Sequence, residues 1–184
     1  MRTLNKNWEL LSRKVVYDGH PYIKVSIDKV RLPTGQIIDD YHRIEVHNAV
    51  MLLVEDIDKK LLVYKEYRHG VAEVSLTFPA GGIEKNENIY DAAKRELIEE
   101  TGYAAKELKL INNYIVSGSY MFGELYFIKA KNIHKNGDPI SKDIENPEHI
   151  WMSKKDVKES IFKKEFKALT YATAAMQWIL EDEK

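Results

Sequence analysis

The chain has 184 residues, with 28 Lys and Arg against 29 Asp and Glu and no cysteine. That length suits one domain with an appendage and leaves two large domains cramped. Near-zero net charge argues against a broad nucleic-acid or membrane-binding surface, the absence of cysteine excludes disulfides and thiol chemistry, and no apolar run approaches a bilayer-spanning length.

Residues 1–8 lack the apolar core of a secretory signal, so a cytoplasmic protein is expected. Residues 8–47 read as short strands, Trp8 to Tyr17, Tyr22 to Leu32 and Ile37 to Val46, punctuated by turn signals at Asp18-Gly19-His20-Pro21 and Pro33-Thr34-Gly35. Between Ile23 and Ile27 apolar and polar side chains alternate, as a half-exposed antiparallel strand requires. So small a sheet is marginal alone and is expected to lean on the following domain or on a second subunit.

From Ala49 the texture changes to buried strands. Val50 to Val54 and Leu61 to Tyr64 flank Asp56 to Lys60 as a strand, loop, strand unit. Pro79-Ala80-Gly81-Gly82 forms a rigid turn into a helix over Ile89 to Thr101, whose Ala92, Ala93 and Leu97 pack inward and whose stop signal is Gly102. Further strands fit Ala105 to Val116 and Leu125 to Lys131. A polar loop from Asn136 to Glu148, a strand at His149 to Met152 and helices around Lys154 to Lys163 and Ala168 to Glu181 complete the chain. The organisation predicted is an N-terminal sheet region over residues 1–47 and a second domain over 48–184.

The end of the first helix carries the chemistry. Glu96 and Glu100 stand four apart and Glu99 three beyond Glu96, so the three carboxylates share roughly one face. Like charges so close repel unless a cation sits among them, and hard oxygens with no sulfur nearby point to Mg2+ or Mn2+. A merely solvated acidic face is the competing reading. It would not need Arg95 before the acids, Gly102 behind them and the glycine turn ahead. The six histidines make no zinc pattern, and neither a Gly-x-Ser-x-Gly nor a Walker sequence occurs, so nucleophilic-serine and P-loop chemistries lose support.

The order Gly81, five residues, Glu87, seven residues, Arg95-Glu96-Leu97, one residue, Glu99-Glu100, one residue, Gly102-Tyr103 matches the Nudix box without a departure. The chain therefore resembles the Nudix hydrolases. Leu62 to Arg68, Phe78 to Glu84 and the strand-rich N-terminal extension resemble the ADP-ribose and nucleoside-diphosphate-sugar pyrophosphatases of that superfamily. The resemblance implies an α+β fold, a mixed sheet between helices, preceded by a small antiparallel sheet that exchanges between subunits of a homodimer. It implies hydrolysis of a nucleoside diphosphate sugar, with metal ions neutralising the phosphates and aligning the attacking and leaving oxygens.

By the same resemblance Glu96 and Glu100 are the main metal ligands, Glu99 holds another ion or a catalytic water, and the Ala80 carbonyl completes the shell. Glu87 and Arg95 pair to fix the loop against the helix, and Gly81 and Gly82 permit close approach. The general base is expected in the loop before a late strand, with Glu148 the better match, Glu145 the reserve, and Asp143 a further acid there. Arg68 can fork onto a phosphate, a surface salt bridge being its alternative. Arg43 is a weaker phosphate or base contact, Tyr22 a stacking surface for the nucleobase or a packing residue, and Glu124 an acid reaching substrate across the dimer. One departure bears on substrate: relatives specific for ADP-ribose carry a proline where this chain reads Val116-Ser117-Gly118-Ser119, which leaves GDP-mannose and other nucleotide sugars open. Nucleoside triphosphates and dinucleoside polyphosphates share the box but are disfavoured by the N-terminal extension. A nucleotide-sugar sensor without catalysis is disfavoured by the complete set of acids.

Overall fold

The computed structural model describes residues 7–140 and 147–181, apart from the side chains of Met121 and Phe122. In chain order the elements are β1 (Glu9–Gly19), β2 (Ile23–Arg31), β3 (Ile37–Val46), β4 (Ala49–Val54), β5 (Leu61–Arg68), β6 (Glu73–Thr77), β7 (Ala80–Gly82), α1 (Ile89–Thr101), β8 (Tyr103–Ser117), β9 (Met121–Lys135), β10 (Glu148–Met152), α2 (Lys154–Phe162) and α3 (Leu169–Glu181). The chain forms two compact units. One comprises Met1–Asn48 with Ile115–Glu124, the other Ala49–Tyr114 with Leu125–Lys184. No helix among the described residues is long and apolar enough to cross a membrane.

In the first unit β1, β2 and β3 form an antiparallel meander, and the start of β9 adds in parallel to β3 through Ile44–Met121 and Glu45–Phe122. Gly35 takes φ +89° in the β2–β3 turn, a conformation that favours glycine, and its N–H donates to the Leu32 carbonyl. The deepest positions of β2 are Ser26, Asp28 and Val30, while Val25 and Ile27 of its apolar alternation stay partly exposed. Asp28 can be buried because the Arg13 guanidinium meets both of its oxygens, at 2.7 and 2.9 Å. That hydrogen-bonded pair holds the Asp28 carboxyl below its ordinary range.

In the second unit β4 lies between β9, parallel to it, and β7, antiparallel to it, while β10, β5 and β6 form a separate antiparallel sheet. The predicted strand, loop, strand unit is present as β4 and β5. The bridge Glu55–Leu61 and the bonds between Asp56 and Lys60 join its two arms, which belong to different sheets. The period of two along β4 explains the layering. Met51 and Leu53 face Val157 of α2 and Ala174, Ala175 and Trp178 of α3, whereas Val50, Leu52 and Val54 face Ala92, Ala93 and Leu97 of α1. A strand buried on both faces reads as a continuous apolar run, which is what residues 50–54 show. The result is an α+β fold whose mixed sheet has helices on either side.

The helix termini follow local sequence. Asn88 caps α1 by accepting from the backbone N–H groups of Tyr90 and Asp91, and Gly102 ends it at φ +69°, in the left-handed conformation that glycine adopts freely. Ser153 and Asp156 form a reciprocal capping box at the start of α2.

Candidate active site

The glycine turn and α1 build one locus within the second unit. Glu96 is nearly buried, and a Cβ added to Gly81 would lie 1.9 Å from its Oε1, so glycine at 81 is what leaves room for this carboxylate. Glu100 accepts from the Ala80 backbone N–H at 3.1 Å. The resemblance implies the Ala80 carbonyl, and the structure links this residue to Glu100 through its backbone N–H. The Glu99 side chain is 41 % exposed, against 11 % for that of Glu96.

Arg95 organises the rest. Its Nε and one terminal nitrogen meet the two oxygens of Glu87 at 3.0 and 2.9 Å, and that nitrogen also donates to the Gly82 carbonyl at 2.8 Å. The other terminal nitrogen is 2.5 Å from Glu96 Oε1 and 3.4 Å from Glu99 Oε2. The expected pairing of Glu87 with Arg95 is present, and the same guanidinium serves as counter-charge for two acids of the helix. The bidentate bond to Arg95 holds the Glu87 carboxyl below its ordinary value and raises Arg95 further above its own. A carboxylate with a depressed folded pKa contributes stability that is complete above its unfolded pKa near 4.5 and is lost as pH falls through the folded one. The destabilisation of Glu87→Gln relative to the parent is therefore expected to be greatest at neutral pH and to shrink below about pH 4, read as thermal midpoints across a pH series.

A hard divalent cation suits this donor set of three carboxylates from one and a half turns of helix beside a glycine cradle. Among the described residues no three His, Asp or Glu side chains converge on one metal-sized point. Glu96 and Glu99 both meet Arg95 and Glu100 meets the Ala80 N–H, so one guanidinium offsets two of the like charges. Because the group nearest a Cβ at 81 is the end of a flexible side chain, Gly81→Ala is expected to push Glu96 aside rather than unfold the chain. Activity should fall by about 10- to 100-fold, the range seen when support of a metal ligand is lost, with little change in urea midpoint.

The carbonyls at the end of α1 are taken by tertiary donors. Ile140 N–H donates to Glu99 O at 2.9 Å, Asn136 N–H to Gly102 O at 2.9 Å and the Tyr64 hydroxyl to Glu100 O at 3.1 Å. Gly102 permits this docking, since a Cβ there would stand 2.5 Å from the Gly137 carbonyl. Across the β5–β10 ladder His149 pairs with Tyr64 and stacks on its ring, with centroids 4.5 Å apart and planes 11° from parallel. Tyr64 carries a signal the sequence reading passed over: a hydroxyl in a buried strand needs a partner.

The remaining predicted residues divide between the two units. In the second unit, Glu148 is exposed at the first position of β10, opposite Lys65. Arg68 ends β5 and contacts Glu66 at 3.3 Å, which realises the salt-bridge alternative in this structure. Glu145, with Asp143, lies outside the described residues. In the first unit, Tyr22 is 82 % exposed just before β2, Arg43 contacts Glu45 at 3.0 Å, and Glu124 is half-buried with its backbone N–H on Asn48 Oδ1.

The NUDIX domain family model matches residues 45–172, and the nucleoside diphosphate sugar hydrolase N-terminal domain model matches residues 8–44. ADP compounds hydrolase NudE of Escherichia coli (strain K12) is 29% identical over 111 residues, covering 60% of this chain and 58% of that protein. The ADP-ribose pyrophosphatase of Bacillus subtilis (strain 168) is 31% identical over 111 residues, with the same coverage of 60% and 58%. The ADP-ribose pyrophosphatase of Escherichia coli (strain K12) is 29% identical over 153 residues, covering 74% of this chain and 73% of that protein. The matched stretch thus spans under two thirds of NudE. A crystal structure of an ADP compounds hydrolase superposes with a TM-score of 0.82 at 20% identity, covering 100% of this chain and 98% of that chain, a likeness of fold.

Proposed function

Since the chain belongs to the NUDIX domain family, we propose that it is a divalent-metal-dependent pyrophosphatase acting on ADP-ribose or a related nucleoside diphosphate sugar. The observation that carries this reading is the grouping of Glu96, Glu99 and Glu100 at one end of α1 beside the Gly81 cradle, in a chain whose N-terminal residues match the nucleoside diphosphate sugar hydrolase model. The names of the relatives, ADP compounds hydrolase and ADP-ribose pyrophosphatase, point to the same substrate class.

In the reaction, water adds to one phosphorus, the bridging P–O bond breaks, and a nucleoside monophosphate and a sugar phosphate leave. Mg2+, or Mn2+ in its place, supplies neutralisation of the phosphate charge and alignment of the oxygens when bound. Glu96 and Glu100 would hold it, with Glu99 and the Ala80 backbone completing the site. Glu148 accepts the proton of the attacking water as general base, and Glu145 is the reserve for that role. Arg68 turns its guanidinium to a substrate phosphate in exchange for Glu66. Arg43, Tyr22 and Glu124 contribute to binding of the nucleoside or sugar.

The test is a panel of ADP-ribose, GDP-mannose, UDP-glucose, NADH, dinucleoside polyphosphates and modified triphosphates, assayed with Mg2+ and Mn2+ and resolved by chromatography. Release of a nucleoside monophosphate and sugar phosphate from ADP-ribose supports the reading. Preference for GDP-mannose would shift the sugar, as the proline-free Val116-Ser117-Gly118-Ser119 stretch allows. Preference for triphosphates would overturn the class, and binding without turnover would identify a sensor.

A homodimer belongs to the same proposal. In the first unit Trp8, Leu10, Val15, Val16, Tyr17 and Tyr22 are each about half exposed or more, apolar side chains that a second subunit would cover. Light scattering at micromolar concentration is expected to return twice the chain mass of 21.4 kDa. A monomeric mass would remove the dimer and any role for Glu124 across it.

A further inference from the structure

We propose that Tyr64 is a positioning residue that ties the acid-bearing end of α1 to the strand that begins at Glu148, an inference resting on the metal assignment above. The residue is buried, 4 % exposed, on the α1 side of β5. Its hydroxyl donates to the backbone carbonyl of Glu100, and its ring carries His149, the neighbour of Glu148. The last carbonyls of a helix have no partner within the helix and are commonly left to water, so the final turn frays. Here two consecutive carbonyls, those of Glu99 and Glu100, take donors from Ile140 and Tyr64. The helix end that bears both acids is thereby held on β5, and the stack holds the start of β10 to the same residue. A phenylalanine would satisfy the packing of this core position equally well. What the hydroxyl adds is a bond to the backbone of a proposed metal ligand, and what the exposed His149 adds is a ring face beside the proposed base.

The two connections are separable. Tyr64→Phe keeps the ring and the stack but removes the donor to Glu100. Mn2+ affinity, measured by electron paramagnetic resonance on the substrate-free protein, is expected to fall about fivefold, the worth of one ordinary hydrogen bond, while kcat at saturating Mn2+ changes by less than about twofold. His149→Ala removes the stack. It is expected to lower kcat about tenfold with Mn2+ affinity unchanged, and His149→Phe, which restores a stacking ring without an imidazole, should recover most of the loss. A residue that merely fills the core would shift the melting temperature and move neither readout.

Glu100→Gln is the control. If it loses Mn2+ while Tyr64→Phe binds Mn2+ like the parent, this inference falls and the metal assignment stands. If Glu100→Gln itself binds Mn2+ like the parent, the metal assignment has failed and the inference goes with it. Equal impairment of His149→Ala and His149→Phe would overturn the stacking half.

Discussion

Glu100→Gln is expected to lower hydrolysis of the proposed nucleotide-sugar substrate by about 100- to 1000-fold, the loss typical when one electrostatic stabiliser is taken from a preorganised site, here through a weakened hold on the cation. The change keeps the volume of the side chain and a carbonyl oxygen at its end. The Ala80 N–H, now 3.1 Å from Glu100 Oε2, retains an acceptor, and the circular dichroism spectrum should match that of the parent. What is lost is a negative charge on the face of α1 proposed to receive the cation. Glu96→Gln should behave alike, with an added complication: Arg95, 2.5 Å from Glu96 Oε1, would lose part of its counter-charge and lean further on Glu87 and Glu99. Glu99, more exposed than Glu96, is expected to tolerate Gln with a smaller loss. Steady-state kinetics at saturating Mg2+ and at limiting Mg2+ distinguish these cases. Unaltered turnover in Glu100→Gln would dismiss the assignment of α1 as the metal helix.

The features legible in the sequence are those that local chemistry decides. Helix α1 runs over Ile89–Thr101 as its spacing predicts, because Ala92, Ala93 and Leu97 recur on one stripe and Gly102 stops it. The bond between Glu87 and Arg95 joins positions eight apart, and the match to the Nudix box implies it. Other features are decided by partners far along the chain. Strands β4 and β5 look like neighbours in sequence, yet β4 pairs with β7 and β9, and β5 with β6 and β10. Strand β6, Glu73–Thr77, is short and too polar at its start to stand out, and its Ser75 is buried because Leu76, Glu165 and Lys167 supply backbone partners from two places in the chain. The placement of Ile115–Glu124 with the first unit rests on pairing such as Ile44 with Tyr120 and Met121, which no local signal announces. At the candidate site, the acids were readable and the role of Arg95 as counter-charge to Glu96 and Glu99 was not, since it depends on side-chain directions rather than spacing.

Lys129 carries the largest expected effect on stability. It sits in β9 on the same face as Phe127, is 1 % exposed, and its ammonium lies 3.0 Å from Glu55 and 3.2 Å from Glu181. Burial alone would lower its pKa, and the two carboxylates reverse that and raise it. Lys129→Met replaces the cation with an apolar chain of similar length, which limits the cavity term, but leaves Glu55, 6 % exposed, with a buried charge. Glu55 would keep the Trp178 indole N–H at 2.9 Å and Lys131 at 3.6 Å, and Glu181 would keep Lys109 at 2.5 Å. The cost is accordingly placed at the lower end for a broken buried pair, about 3 kcal/mol, or a melting temperature lower by about 10 °C. Glu55→Gln combined with Lys129→Met removes the stranded charge while preserving an acceptor for Trp178. The double variant is expected to be more stable than Lys129→Met alone, a coupling that urea denaturation of the four-member cycle measures. Loss of under 1 kcal/mol in Lys129→Met, or strict additivity in the cycle, would mean that the ion network is a passenger of the packing around Trp178 rather than one of the ties between α3 and the sheet.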